Sequence, residues 1–190
     1  MKRKLSPAVL LGPISALQKL MDTIGCPWTI IGGVASSLLG KPRFTADVDA
    51  VVLVEPGALS SIIKNARKLG LEPRINGAEA FAEKNRVLLL KHKGSGINID
   101  LSLGLLPFEE QAVKKSKKHK IGDISFYLPT VEDLIIFKAV AHRPQDMLDI
   151  NELVRSHKKI DKKYIKKVVS EFAHILETPE ILSDLKKILQ

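Results

Sequence analysis

The sequence is poor in sulfur and in aromatic rings. Among its 190 residues there is one cysteine, Cys26. That excludes an internal disulfide framework and a cysteine-built zinc site, and it suits a reducing, cytoplasmic compartment. Aromatic residues make up 5% of the chain, so the core must be aliphatic. No apolar run approaches about 18 residues, which excludes a membrane-spanning helix and argues against a membrane partner. The five histidines, His92, His119, His142, His157 and His174, form no His-x-x-x-His pair. Also missing are a phosphate-loop Lys-Ser/Thr ending, a Gly-x-Gly-x-x-Gly turn and a Gly-x-Ser-x-Gly elbow. Met1-Lys2-Arg3-Lys4 followed by Leu5 to Leu11 has the outline of a signal peptide. Pro7, Gly12 and Pro13 interrupt it, and the segment reads as mature protein.

What is present is enough apolar material, 45%, for an ordinary core, and a net charge of +9. The charge suits a polyanionic partner without identifying one. Lysines cluster at Lys91-His92-Lys93, Lys114 to Lys120 and Lys158 to Lys167, and the second cluster reads as a solvated loop.

The patterning predicts a helix over 13–23 and a strand at 28–31, ended by Gly32-Gly33, which open a helix through Leu39. Asp47 to Val54 alternates as a strand, and Glu55-Pro56-Gly57 starts a helix to Leu69. Arg86 to His92 and Ile97 to Leu103 form a hairpin over Lys93-Gly94-Ser95-Gly96, and Ile124 to Leu128 forms another strand. From Thr130, a capping residue, the chain turns helical, with helices at 144–157, 161–176 and 179–189. The fold class is therefore α+β: residues 1–128 as an α/β core and residues 129–190 as a C-terminal helical subdomain.

On the predicted strand of Asp47-Val48-Asp49, alternation projects both carboxylates from one face. Like charges so placed are unfavourable without a cation, and a hard divalent metal with oxygen ligands supplies one. Asp100 occupies the polar face of Ile97 to Leu103. If the two strands are neighbours, three carboxylates share a face, the requirement of two-metal phosphoryl transfer. Solvated carboxylates on exposed strand faces are the plain alternative.

Gly32-Gly33 at a strand-to-helix junction would let a phosphate approach free N–H groups, with Ser36 or Ser37 adding a hydroxyl. Arg43 either neutralises phosphate or pairs with an acid, and Thr45 lies just before the carboxylates. Lys138 sits among apolar residues, where it needs an anion or must reach out to water. Arg143, Asp146 and Asp149 share a helix face, as an ion-pair ladder or turned toward a ligand.

Together, Ile31-Gly32-Gly33, Arg43-x-Thr45-x-Asp47-x-Asp49 and Ile99-Asp100-Leu101 resemble the polymerase-beta-like nucleotidyltransferase superfamily. Glu132-Asp133-Leu134 through Lys138, Arg143, Asp146 and Asp149 resembles its AbiE-type toxin branch and uncharacterised relatives. The resemblance implies a mixed sheet with flanking helices, with an NTP as substrate and Mg²⁺, or Mn²⁺ in its place, in the cleft. It implies Asp47 and Asp49 as metal ligands, joined by Asp100. Thr45 and Gly33 would touch phosphates, Lys138 would brace the triphosphate, and Asp146 would lie near the metal or act as base. Asp100 or Asp146 fills the base role. RNA, including tRNA, is the implied acceptor and a cognate antitoxin the implied partner. One departure is that Val34 stands where the superfamily commonly has the serine of Gly-Ser. The competing class is a catalytically inactive module that binds nucleic acid or protein.

Overall fold

The computed structural model describes residues 7–55 and 57–190, so the basic N-terminal tetrad and Pro56 of the expected helix start lie outside it. After a 3-10 turn at Pro7–Leu10 come α1 (Leu11–Ile24), β1 (Trp28–Ile31), α2 (Gly32–Leu39), β2 (Asp47–Val52) and α3 (Leu59–Lys68). Then follow β3 (Leu71–Pro73), α4 (Ala78–Asn85), β4 (Val87–His92), β5 (Asn98–Leu103) and α5 (Pro107–Lys115). A hairpin, β6 (Lys117–Ile121) and β7 (Ile124–Leu128), precedes α6 (Val131–Ala141), α7 (Pro144–Ser156), α8 (Lys162–Ile175) and α9 (Pro179–Ile188).

Strands β1 to β5 form one mixed sheet in the order β1-β2-β5-β4-β3. β2 and β5 run parallel, and the other pairs are antiparallel. A parallel pair needs a crossover, and the chain between β2 and β5 supplies it through α3, β3, α4 and β4. Alternation buries Val48, Ala50 and Val52 with Leu88, Leu90, Ile99 and Leu101. They share one core with Leu17 and Leu20 of α1, Ile62 and Ala66 of α3 and Ala82 of α4. Each large aliphatic side chain buried there contributes about 1.5–3 kcal/mol. The opposite parity, Asp47, Asp49, Asn98 and Asp100, stays half-buried.

The C-terminal helices pack around α6, whose Leu134, Ile135 and Ile136 are all fully buried. Thr130 caps it by accepting from the Asp133 N–H at 3.1 Å. Pro144 starts α7, where its missing N–H costs nothing. Among the described residues no helix is long and apolar enough to cross a membrane.

Five elements depart from the sequence expectation. β3 is three residues long, too short to show a period. α4 has little apolar content beyond alanine and Phe81. α5 starts at Pro107 with Glu109 accepting from the Leu106 N–H at 3.0 Å. The expected loop at Lys114 to Lys120 is the end of α5 and strand β6, exposed along its length because β7 alone pairs with it. The helix expected from Glu55 starts at Leu59.

Candidate active site

The register of the parallel pair assembles the acidic centre. Asp49 of β2 lies directly opposite Asp100 of β5, and Asp47 lies opposite Asn98. On the other side Ile31, the last residue of β1, pairs with Asp49, which brings Gly32 and Gly33 against that carboxylate. A Cβ on Gly32, whose φ is +64°, would overlap the Asp49 carboxylate, and one on Gly33 would overlap Thr45. The two glycines are therefore a packing requirement of the acidic centre.

Burial pushes the Asp49 carboxyl above its ordinary value, and the charges of Asp100 and Asp47 push it further. Arg143 and the Gly33 backbone N–H, which donates to it, pull the other way without prevailing. Asp100 is also raised, by burial first, although Arg74 opposes the rise. Arg74 follows β3, is anchored by its N–H donating to the Leu89 carbonyl at 2.9 Å, and donates from its guanidinium to Asp100. Its Nε is buried without a partner.

A second constellation adjoins the first. Arg43 donates to both oxygens of Asp149, Nε and a terminal nitrogen each at 2.7 Å. Lys138 Nζ lies 2.6 Å from Asp149 and 3.0 Å from Asp146, and Arg143 Nε donates to Asp146 at 2.6 Å. Gln145 adds a further donor to Asp149 at 3.1 Å. Lys138, Asp146 and Asp149 are all buried. Burial pushes both carboxyls upward, but Arg143 and Lys138 hold Asp146, and Arg43 and Lys138 hold Asp149, below the usual range. The result is a continuous ladder, Arg43–Asp149–Lys138–Asp146–Arg143, from the loop before β2 to α6 and α7.

At these positions the structure shows ion pairs. Arg43 pairs with an acid, the anion that Lys138 meets is Asp146 and Asp149, and Arg143, Asp146 and Asp149 form an ion-pair ladder. In this arrangement Lys138 Nζ bridges Asp146 and Asp149, and Asp146 is engaged by two cations, Lys138 and Arg143. Ser36, expected near the phosphates, has a buried hydroxyl that donates to the Gly32 carbonyl at 2.9 Å. Ser37 likewise donates to the Arg43 carbonyl at 3.0 Å. Both serines turn inward because a helical hydroxyl finds a backbone carbonyl within reach. Gly32, Gly33, Thr45, Asp47, Asp49 and Asp100 stay together around the open end of the sheet. Arg143, exposed along most of its side chain, joins that group to the ladder. Arg74 is the site residue the sequence did not reveal, since a lone arginine after a three-residue strand carries no pattern.

Among the described residues no group of three or more His, Cys, Asp or Glu side chains is arranged to hold a metal ion. The donor chemistry nonetheless fits Mg²⁺. Asp47 and Asp49 are hard oxygen donors, Asp49 is destabilised by like charge, and such an ion commonly takes one or two carboxylates plus substrate phosphates.

Solved structures share this fold. An antigenic nucleotidyltransferase-like protein from Paracoccidioides brasiliensis is 17% identical, covers 96% of this chain and 94% of its own, and has a TM-score of 0.57. The antibiotic-resistance factor ANT(2'')-Ia is 12% identical over 93% of this chain and 97% of its own, with a TM-score of 0.62. The lincosamide antibiotic adenylyltransferase LnuA, solved with lincomycin bound, is 14% identical over 80% and 99%, with a TM-score of 0.53. No curated protein matches the sequence. A family model described as "Nucleotidyltransferase of unknown function (DUF6036)" matches residues 11–184, nearly the whole chain, and the protein belongs to that nucleotidyltransferase family.

Proposed function

We propose that the protein is a divalent-metal-dependent nucleotidyltransferase that moves an NMP from an NTP to an acceptor hydroxyl. The observation that carries the reading is the register of Asp49 against Asp100, with Asp47 on the same face and the Gly32-Gly33 helix start beside them. Asp47 and Asp49 would hold Mg²⁺ or Mn²⁺, with Asp100 completing the acidic face. Bound there, the metal supplies positive charge to the phosphates and to the departing pyrophosphate.

The chain's own residues do the rest. Gly33 and Thr45 would contact the phosphates by exchanging the bonds they make here, the Gly33 N–H to Asp49 and the Thr45 hydroxyl to the Asp47 carbonyl at 3.3 Å. Arg143, held on Asp146, directs its remaining charge toward the acidic centre. The acceptor oxygen forms a bond to the α-phosphorus while the bond from the α-phosphorus to the bridging oxygen breaks, and pyrophosphate leaves. Asp100, with its raised carboxyl pKa, takes the hydroxyl proton once parted from Arg74. Lys138 and Asp146 act as positioning residues that hold Arg143 and the loop of Arg43.

The test is incubation with each α-labelled NTP, Mg²⁺ or Mn²⁺, and RNA or protein from a lysate. Label should pass to one fraction, and Asp49→Asn should abolish transfer. Transfer unchanged in that variant refutes the assignment. A second reading, an inactive module of the same fold, draws its support from Arg74 on Asp100, a cation already placed on the acidic face. Metal-dependent NTP consumption separates the two. RNA, tRNA included, is the acceptor we favour. A toxin role with an antitoxin partner is a finer proposal, supported by the Glu132 to Asp149 likeness alone. Growth arrest on expression, relieved by Asp49→Asn, is its test.

A further inference from the structure

The lysine clusters at 114–120 and 158–167 are separate in sequence, but the fold makes them neighbours. Phe108 of α5 packs edge-on against Phe172 of α8, with ring centroids 5.7 Å apart. At the end of α5, Lys115 Nζ sits 5.0 Å from the centre of the Tyr164 ring on α8. Tyr164 is itself fixed, because its hydroxyl donates to the buried Asp133 of α6 at 2.8 Å. Beside it an open cleft of about 600 Å³ is lined by His157, Lys158, Lys159 and Lys162 together with Glu132 and Asp161. Both acids are engaged: Asp161 caps α8 by accepting from the Tyr164 N–H at 2.8 Å, and Glu132 accepts from the Asp161 N–H at 3.2 Å.

The two segments together carry eleven lysines and one acidic residue, Asp161. Among the described residues Lys114 pairs with Glu110 and Lys162 reaches the Gln190 carbonyl, while the others make no ion pair. All but Lys166 are exposed, and no large apolar side chain of either segment is exposed with them.

We propose that this joint surface, the α5 end with β6 and the 158–167 segment around the cleft, is an RNA-docking site that reads backbone phosphates. A concave, multiply cationic surface whose apolar side chains are few, Val154 and Ile160 in the cleft and Ile121 at the end of β6, suits a flexible phosphate chain better than a flat membrane, which would draw on more apolar contact. The density of uncompensated lysines exceeds what a peptide with scattered acids would neutralise. The Tyr164 ring is covered by Lys115 and offers no open stacking face, so lysine–phosphate contacts dominate and binding is insensitive to base sequence. α6 connects the two sites, with Glu132 and Asp133 beside the cleft and Lys138 in the ladder. At about 1.5 Å per residue the cleft lies on the order of 10 Å along the helix from the ladder. The inference rests on the transferase reading only in making the bound RNA the acceptor.

The test measures binding without NTP or metal, using a fluorescein-labelled unstructured RNA of about 20 nucleotides at about 50–200 mM salt. The full chain should bind with a steep salt dependence, about 0.7 in the log–log slope per phosphate neutralised. A combined Lys118→Glu, Lys163→Glu, Lys167→Glu variant should bind at least about tenfold more weakly with a shallower slope, while melting at an unchanged temperature. Asp49→Asn should bind as tightly as the parent while losing transfer. Charge-reversed protein that binds like the parent, salt-independent binding, or phosphatidylserine vesicles that capture the protein better than RNA would each overturn the proposal. RNA binding without any NMP transfer would leave this surface standing and remove the transferase reading instead.

Discussion

Two groups of charged side chains lie side by side at the open end of the sheet, and they are balanced in opposite ways. In the ladder, Asp146 and Asp149 face Arg43, Lys138 and Arg143, and every carboxylate oxygen has a donor. In the acidic centre, Asp47, Asp49 and Asp100 have one directly bonded cation among the described residues, Arg74 on Asp100. The environments push the carboxyls apart accordingly, down in the ladder and up at Asp49 and Asp100. A satisfied network rigidifies, whereas an under-compensated one is ready for a cation or an electropositive ligand. In the proposed function the ladder is therefore scaffold and the acidic centre the place of chemistry, although Arg43 of the ladder stands in the same motif as Asp47 and Asp49.

Breaking the ladder should produce the largest effect. Lys138→Met removes the central cation between two buried carboxylates and should cost about 3–5 kcal/mol in urea unfolding. A loss under about 1 kcal/mol, the worth of an exposed pair, would show that the ladder is not scaffold. Asp49→Asn should lower NMP transfer by on the order of 10²–10³-fold with the urea midpoint retained. The converse pattern, lost stability with transfer intact, would exchange the roles of the two groups.

Acid should separate them next. Asp146 and Asp149 have depressed carboxyl values, so their stabilisation is present above the ordinary carboxylate value and is lost as pH falls through the folded one. Melting temperature should drop below about pH 4 in the parent and much less steeply in Lys138→Met. Coincident pH profiles would deny the ladder its part. The smallest effect belongs to Arg74→Gln. The pair is partly exposed, so its loss should change stability by about 1 kcal/mol or less. The same variant should bind Mn²⁺ more tightly than the parent in calorimetry, since it clears Asp100, and weaker binding would make Arg74 part of the cation site.

Much of the architecture was legible because it is written in short-range patterns. Alternation at Asp47 to Val52 and Asn98 to Leu103, and Thr130 capping α6, locate elements within a few residues. β3 and β6 were not legible, because one is too short for a period and the other, Lys-Lys-His-Lys-Ile, has no buried face. At the site, the carboxylates stood out by parity. The destinations of Ser36 and Arg74 did not, since a serine hydroxyl is local in either role and an arginine reaches across strands.

The sequence by itself determined that Asp47 and Asp49 share a face, that Asp100 lies on the polar side of its own strand, and that Gly32-Gly33 interrupt a strand just before a helix. Those properties depend on residues within a few positions of one another. Only the tertiary structure decided which charges meet. Arg43 and Asp149 are 106 positions apart, Arg74 and Asp100 are 26 apart, and Lys115 finds Tyr164 across two helices. Coulomb energy depends on distance through space and on burial, and neither is encoded in spacing along the chain.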